Sequence, residues 1–251
     1  MHPGPAMGND QTKLSAAEQM RAPRPRLLFG VVRFVWRAYD RTLAGRLRRL
    51  FLTDLIIETG NFAKTTWLGQ PIWQNVLDLH TMQETVCEVK PDLLIECGTN
   101  LGGSALFFAS LFELMGKGSV LTIDVERMHD LSHPRITFLV GSSLDPEIIT
   151  QAQFAASNVK GPVMVVLDSL HSASHVRAEM EAYCGLVTKG SYLFTQDGVI
   201  DELFMFRRGR PGPLQAIREF LRVHPEFEVD HDRSRRFLIT HSPMGWLRRK
   251  S

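Results

Sequence analysis

The chain has 251 residues, 44% of them hydrophobic and 22% charged, as expected of one large α/β domain or two small ones. No apolar run reaches the ~18 residues of a transmembrane helix, and the N-terminus (MHPGPAMGND) lacks the apolar stretch of a secretory signal. Cys87, Cys97 and Cys184 are scattered and without CxxC spacing, which argues against a disulfide scaffold or a structural zinc site and suits a cytoplasmic protein. The net charge of +2 hides an asymmetry: residues 1–50 carry ten Lys/Arg against three Asp/Glu, and the remainder 19 against 24. A nucleic-acid binder places basic charge across its folded body. None is expected here.

Residues 1–25, rich in Pro, Gly and small polar side chains, read as a loose tail. From 26 to 52 apolar residues interleave with seven arginines at helical spacing, opening a basic amphipathic segment assigned to 26–90. It fits packing on its own domain or on a second subunit of a homo-oligomer, or contact with an anionic membrane surface; Gly30 and Gly45, which interrupt the helix, favour packing.

Beyond residue 90, strands and helices alternate. LLIECG (93–98), SVLTID (119–124), RITFLVG (135–141), PVMVVLDS (162–169) and SYLFTQD (191–197) read as buried strands. Between them lie helical runs at 104–116, 146–157 and 173–187, and a further helix at 214–224. This order predicts an α/β, Rossmann-like, doubly wound and mostly parallel sheet over 91–251. FEVD (227–230) and RRFLITH (235–241) are expected to close it as an antiparallel hairpin. The irregular segment 198–213, with Leu203, Phe204, Met205 and Phe206 ahead of Arg207, Arg208 and Arg210, suits a lid over an acceptor or a subunit contact.

The strongest local signal is Glu96-Cys97-Gly98-Thr99-Asn100-Leu101-Gly102-Gly103-Ser104. An acid ends a strand, glycines turn the chain, and a helix begins at once. Glycine lets backbone approach a ligand, and the helix N-terminus offers free N–H groups. The spacing is neither the dinucleotide G-x-G-x-x-G nor a P-loop. An acid at the strand end suits S-adenosylmethionine (SAM), whose sulfonium and amino groups are cationic, so Glu96, Gly98, Thr99, Asn100, Gly102 and Ser104 are candidate cofactor contacts. A merely tight turn is the simpler alternative. Asp124 ends the next strand, where a carboxylate can accept ribose hydroxyls. Ser142 and Ser143 close the following one, where they could bond adenine or cap the helix at Pro146.

Asp168 and the pair Gln196-Asp197 end two further strands and so converge on the same edge. Two carboxylates and an amide oxygen suit Mg2+, which would hold an acceptor hydroxyl. His171, three residues after Asp168, is a candidate general base. His175 reads as a helix-surface or supporting residue, and the other histidines form no ligand-spaced cluster.

These stretches resemble the cephalosporin hydroxylase/rhamnosyl O-methyltransferase family. The likeness is carried by KTTWLGQPIW (64–73), Gln83-Glu84, LLIECGTNLGGSALFFA, VLDSLHSASHV, RPGPLQAI (210–217) and SPMGWLRR (242–249), in order, from about residue 60 onward. It implies a class I SAM-dependent O-methyltransferase acting on a sugar or other small hydroxylated acceptor, with an accessory component of a hydroxylation/methoxylation system or a non-catalytic SAM-binding subunit as the alternatives. By position Glu96, Gly98 and Gly102 would meet the methionine part of SAM, Asp124 the ribose, and Asp168 and Asp197 the metal. The family usually carries an acid where Gln196 stands, and often one at Leu170, so the cation would here meet fewer negative charges.

Overall fold

The computed structural model describes residues 43–59 and 64–250. The expected tail and residues 26–42 of the basic segment lie outside them. Helix α1 (Gly45–Thr59) leads into the compact unit that begins at Arg48, and its Leu52 and Ile56 pack on Val199 and Leu203. A small hairpin follows, β1 (Thr66–Trp67) with β2 (Gln70–Pro71). Helix α2 (Val76–Val89) starts where the Asn75 side chain accepts the Leu77 N–H at 3.1 Å, and stops at Lys90 in a left-handed conformation. Among the described residues no helix is long and apolar enough to cross a membrane.

The central sheet is built by alternation. Strands β3 (Leu93–Cys97), β4 (Ser119–Asp124) and β5 (Ile136–Val140) are linked through helix α3 (Gly103–Met115) and a loop. Helices α4 (Pro146–Ser157) and α5 (Ala173–Tyr183) bracket β6 (Val163–Leu167), and β7 (Tyr192–Thr195) follows. Helix α6 (Pro213–Val223) leads to β8 (Phe227–Val229), a one-turn helix α7 (His231–Ser234) and β9 (Trp246–Arg249). The strand order is β5-β4-β3-β6-β7-β9-β8, with β3 to β7 parallel and β9 antiparallel to both its neighbours. Every residue of β3 and β6 is buried; the apolar run of β6 and that of β3, broken only by Glu96, suit strands covered on both faces. Ile72, Met82, Val86, Phe108 and Phe112 fill one face; Ile148, Val176, Met180, Ile217 and Phe220 fill the other.

The terminal antiparallel pair forms, but not from the expected residues. The partner of β8 is Trp246–Arg249, and 235–241 is not a strand. Three contacts explain the exchange. Arg236 is drawn outward into a two-point ion pair with Glu84 at 2.9 Å. Leu238 adopts a left-handed φ of 66° and stays exposed. Trp246, in contrast, is fully buried and stacks on Phe194 with ring centroids 3.9 Å apart. Burial of that indole decides which segment joins the sheet.

Segment 198–213 is anchored at several points. It forms two short 3-10 turns, and the Asp201 carboxylate accepts the Gly212 and Leu214 N–H groups at 2.8 Å, capping α6. Arg210 donates to the Ile200 and Leu203 carbonyls. Leu203 is buried, whereas Phe204 is 75% exposed.

Because Trp246 locks the antiparallel margin, Trp246→Ala should destabilise the fold by about 3–5 kcal/mol. Urea denaturation measures this; a loss below about 1 kcal/mol would mean that β9 is held by its backbone ladder alone.

Candidate active site

Strand order reverses between β3 and β6: the chain steps from β3 outward to β4 and β5, then returns to the other side at β6. In such sheets the crevice for ligands opens at the carboxyl ends of the strands flanking the reversal. Gly98 follows β3 and Asp168 follows β6, so the glycine loop and the first of the metal-candidate carboxylates meet there. Their approach is so close that a Cβ on Gly98 would lie 2.1 Å from the Asp168 carbonyl oxygen. Gly98 also has a φ of 104°. Gly102, at φ 83°, starts α3, and a Cβ there would meet the His129 ring and Leu131 at 3.2 Å, so side chains already occupy that space. Gly103 lies under the hairpin, its Cβ position 2.1 Å from the Pro71 carbonyl.

Glu96 is fully buried at the end of β3. Its Oε2 accepts from the Thr122 hydroxyl at 2.6 Å, and the Thr122 and Thr99 hydroxyls are bonded at 2.6 Å. Its Oε1 is buried without a hydrogen-bond partner. Burial pushes the carboxyl up to about 7, against the lowering effect of the Ser104 and Thr122 hydroxyls. Thr99 thus supports Glu96. Asn100, at a left-handed φ of 47°, donates its N–H to Asp124 Oδ2 at 2.8 Å, and Asp124 Oδ1 accepts the Val125 N–H. Asp124 therefore holds the glycine loop and keeps carboxylate lone pairs for a ligand.

The serines are placed differently from one another. Ser142 Oγ accepts the Leu144 N–H at 3.2 Å within its own turn. Ser143 points inward and donates to Glu179 Oε1 at 2.5 Å, and its carbonyl accepts from the Tyr183 hydroxyl. Glu179, wholly buried, also accepts from Ser169 at 2.6 Å and lies 3.3 Å from His175 Nε2. It ties the loop after β5 to the loop after β6, a role that sequence reading did not assign.

Asp168, His171 and Asp197 come together, with one ligand atom from each within 4.8 Å of the others. His171 Nε2 lies 3.2 Å from Asp197 Oδ2. Burial holds the Asp168 carboxyl well above the usual range, and the Asp197 charge adds to this. Gln196 is buried, with its Nε2 unbonded and its backbone N–H given to Leu167. Gln74 donates to Asp168 Oδ2 at 2.7 Å, a contact across 94 positions of sequence. The only hint of it was its place directly after the KTTWLGQPIW stretch. Trp73, Gln74, Gly98, Asn100, Ser104 and Asp168 line one recess, so the glycine loop shares it with one carboxylate of the acidic cluster. A wider groove between β5 and α4, lined by Leu121, Leu139 and Phe154, contains no carboxylate, imidazole or thiol. Folding also gathers Glu181, Cys184 and His224 into a second cluster. There the imidazole is clamped at 2.8 Å by both Glu181 and Glu226, so its ring nitrogens are committed to ion pairs.

Residues 54–250 match the family model described as rhamnosyl O-methyltransferase/CmcI. The chain belongs to this family. It is 35% identical over 194 residues to the rhamnosyl O-methyltransferase of Mycobacterium tuberculosis (strain ATCC 25618 / H37Rv), covering 74% of this chain and 78% of that protein. The Mycobacterium leprae (strain TN) rhamnosyl O-methyltransferase is 35% identical over 199 residues, covering 76% and 86%. The apo structure of CmcI superposes with a TM-score of 0.59 at 17% identity, covering 100% of this chain and 90% of that one. CmcI with Mg and SAM gives 0.58 at 18% identity and the same coverage. These likenesses establish the class I methyltransferase fold, and SAM is the methyl donor of this enzyme class.

The raised carboxyl of Glu96 has a consequence for stability. Between its usual 4.5 and about 7 the folded state holds a proton that the unfolded state has released. Stability therefore falls as pH rises through that window, by about 3 kcal/mol in all. Glu96→Gln should flatten the decline, as read from urea midpoints on either side of the window; an unchanged pH slope would show that Glu96 is ionised in the folded protein.

Proposed function

We propose that this SAM-dependent O-methyltransferase methylates a hydroxyl of a rhamnosyl or related sugar unit on a larger acceptor, assisted by Mg2+. The observation that carries this reading is the Asp168–His171–Asp197 cluster, an imidazole and two carboxylates, of which Asp168 also lines the recess beside the glycine loop. The sugar acceptor rests on the names of the mycobacterial relatives.

The residues suit both bound groups. For SAM, the buried and unbonded Oε1 of Glu96 lies beneath the loop, where a cationic group would satisfy it. Glu96, Gly98, Asn100, Gly102 and Ser104 would surround its methionine part, and Asp124 its ribose. Ser142 remains a candidate beside adenine, whereas the Ser143 hydroxyl is committed to Glu179. For the cation, two carboxylates whose mutual repulsion raises Asp168 offer hard oxygen donors, with the Gln196 amide oxygen a third candidate. Bound there, Mg2+ supplies a Lewis acid that lowers the pKa of a coordinated hydroxyl. His171 takes the acceptor proton as its oxygen becomes nucleophilic, and Asp197 orients the imidazole. Gln74 holds Asp168 in place.

Residues 91–251 form the donor-binding part in this reading, with the preceding segment as its cover: Gln70 donates to the Leu101 carbonyl of the glycine loop. Leu50, Phe51 and Ile57 on α1, together with Phe204, are exposed and suit contact with a second copy of this chain.

Turnover of SAM to S-adenosylhomocysteine with a rhamnosylated acceptor, and the matching gain of one methyl in product mass, tests the activity. His171→Ala should lower kcat about 10²–10⁴-fold and leave SAM affinity within about twofold. Asp124→Ala should weaken SAM binding at least about tenfold, roughly 1.4 kcal/mol. Chelator should lower the rate, Mg2+ restore it, and Gln196→Glu tighten apparent Mg2+ affinity. A chelator-insensitive rate that Asp197→Asn leaves unchanged would move the chemistry to metal-free base catalysis.

A further inference from the structure

Asp78 lies on α2, more than a hundred residues before Asp197, and is 4% exposed. Its Oδ2 accepts the backbone N–H of His241 at 2.7 Å, and the carbonyl of the same His241 accepts the N–H of Val199 at 2.9 Å. Val199 is two residues beyond Asp197, inside the 3-10 turn of which Asp197 is the N-cap. Asp197 adopts φ 54° and ψ 28°, a left-handed conformation that a non-glycine residue keeps only where its surroundings impose it. The segment after His241 runs beneath the same turn. Thr195 donates to the Gly245 carbonyl at 2.9 Å, and a Cβ on Gly198 would lie 3.0 Å from the Pro243 carbonyl.

We infer that Asp78 is a positioning residue for Asp197, holding through His241 and Val199 the turn that presents the Asp197 carboxylate to Asp168 and His171. The inference rests on the proposed role of that cluster. Asp78 touches none of the reacting groups itself. Its cost to the fold fits a role kept for geometry. Burial pushes its carboxyl up to about 7 and the charge of Asp197 adds to this, while the Thr240 hydroxyl and His241 amide lower it. A carboxylate so desolvated is unfavourable, and an apolar side chain on α2 would relieve the cost at the expense of the His241 hydrogen bond.

Two variants separate position from bulk stability. Asp78→Asn keeps an oxygen able to accept the His241 N–H, whereas Asp78→Ala leaves that N–H unmet. The full chain is used, with Mn2+ as the probe cation followed by its paramagnetic resonance, SAM affinity by calorimetry, and amide exchange at Val199 by NMR. Asp78→Ala should speed Val199 exchange and weaken Mn2+ binding, each at least about tenfold, and lower kcat, with SAM affinity within about twofold. Asp78→Asn should restore Mn2+ affinity to within about threefold of the parent. Slow, parent-like exchange at Val199 in Asp78→Ala overturns the inference. So does an equal loss of Mn2+ and SAM affinity in both variants, the mark of a merely structural residue. If the parent protein binds no Mn2+, the metal-assisted reading fails, and Val199 exchange still decides whether Asp78 positions the turn.

Discussion

The contact between Gly98 and the backbone of Asp168 is the constraint on which the site depends. β3 and β6 are adjacent and parallel, and their loops leave the sheet side by side at the point of strand reversal. Any side chain at position 98 would collide with the Asp168 carbonyl. Its absence lets the loop that suits the methyl donor abut the loop that carries the acidic cluster. Methyl transfer needs donor and acceptor in contact with water excluded, and a separation of a few ångströms would forfeit much of the advantage of bringing them together. In the proposed reading the glycine serves the reaction by what it leaves out. It allows two loops, each of ordinary construction, to act on one volume.

Around that contact the protein concentrates carboxyls: Glu96 and Glu179 buried, Asp168 partly exposed, with buried Asp78 behind them. Desolvation raises Glu96, Asp168 and Asp78, so the edge is electrostatically costly when it holds no cation. A sulfonium, an ammonium group or a divalent ion entering the recess would offset that cost. In the proposed reading this cost favours ligands of positive charge. Hydroxyls of Thr122, Ser143 and Ser169 partner Glu96 and Glu179, and the Gln74 amide partners Asp168, so among the described residues no lysine or arginine is bonded to these three carboxyls.

Much of this was legible in the sequence because strand ends are local. Short apolar runs ending in Glu96, Asp124, Asp168 and Asp197 declare both the strands and the edge at which their acids gather, whatever the packing of the rest. The misread hairpin shows the limit. RRFLITH has the composition of a strand, but Arg236 finds Glu84 on α2, and the short WLRR is chosen because Trp246 fills a hole beside Phe194. That decision belongs to tertiary packing, which local propensity does not contain. The same holds for Gln74, Asp78 and Glu179. Each is an ordinary polar residue on or beside a helix, and its partner is remote in the chain or carries no motif. Likewise the His224 cluster could not be seen from spacing, because Glu181 and Cys184 reach it from a different helix.

The segment before β3 is more than a lead-in to the domain. Through Gln70 it bonds the Leu101 carbonyl in the glycine loop, through Pro71 it fills the space over Gly103, and through Gln74 it bonds Asp168. Three residues within five consecutive positions thus touch both the glycine loop and Asp168. A displacement of this stretch would free the glycine loop and remove the hydrogen bond from Asp168 in the same movement. Coupling of this kind requires no distant network, since one extended piece of chain is bonded to both loops. The family likeness, which spans residues 54–250, accordingly includes this stretch ahead of the first strand of the sheet.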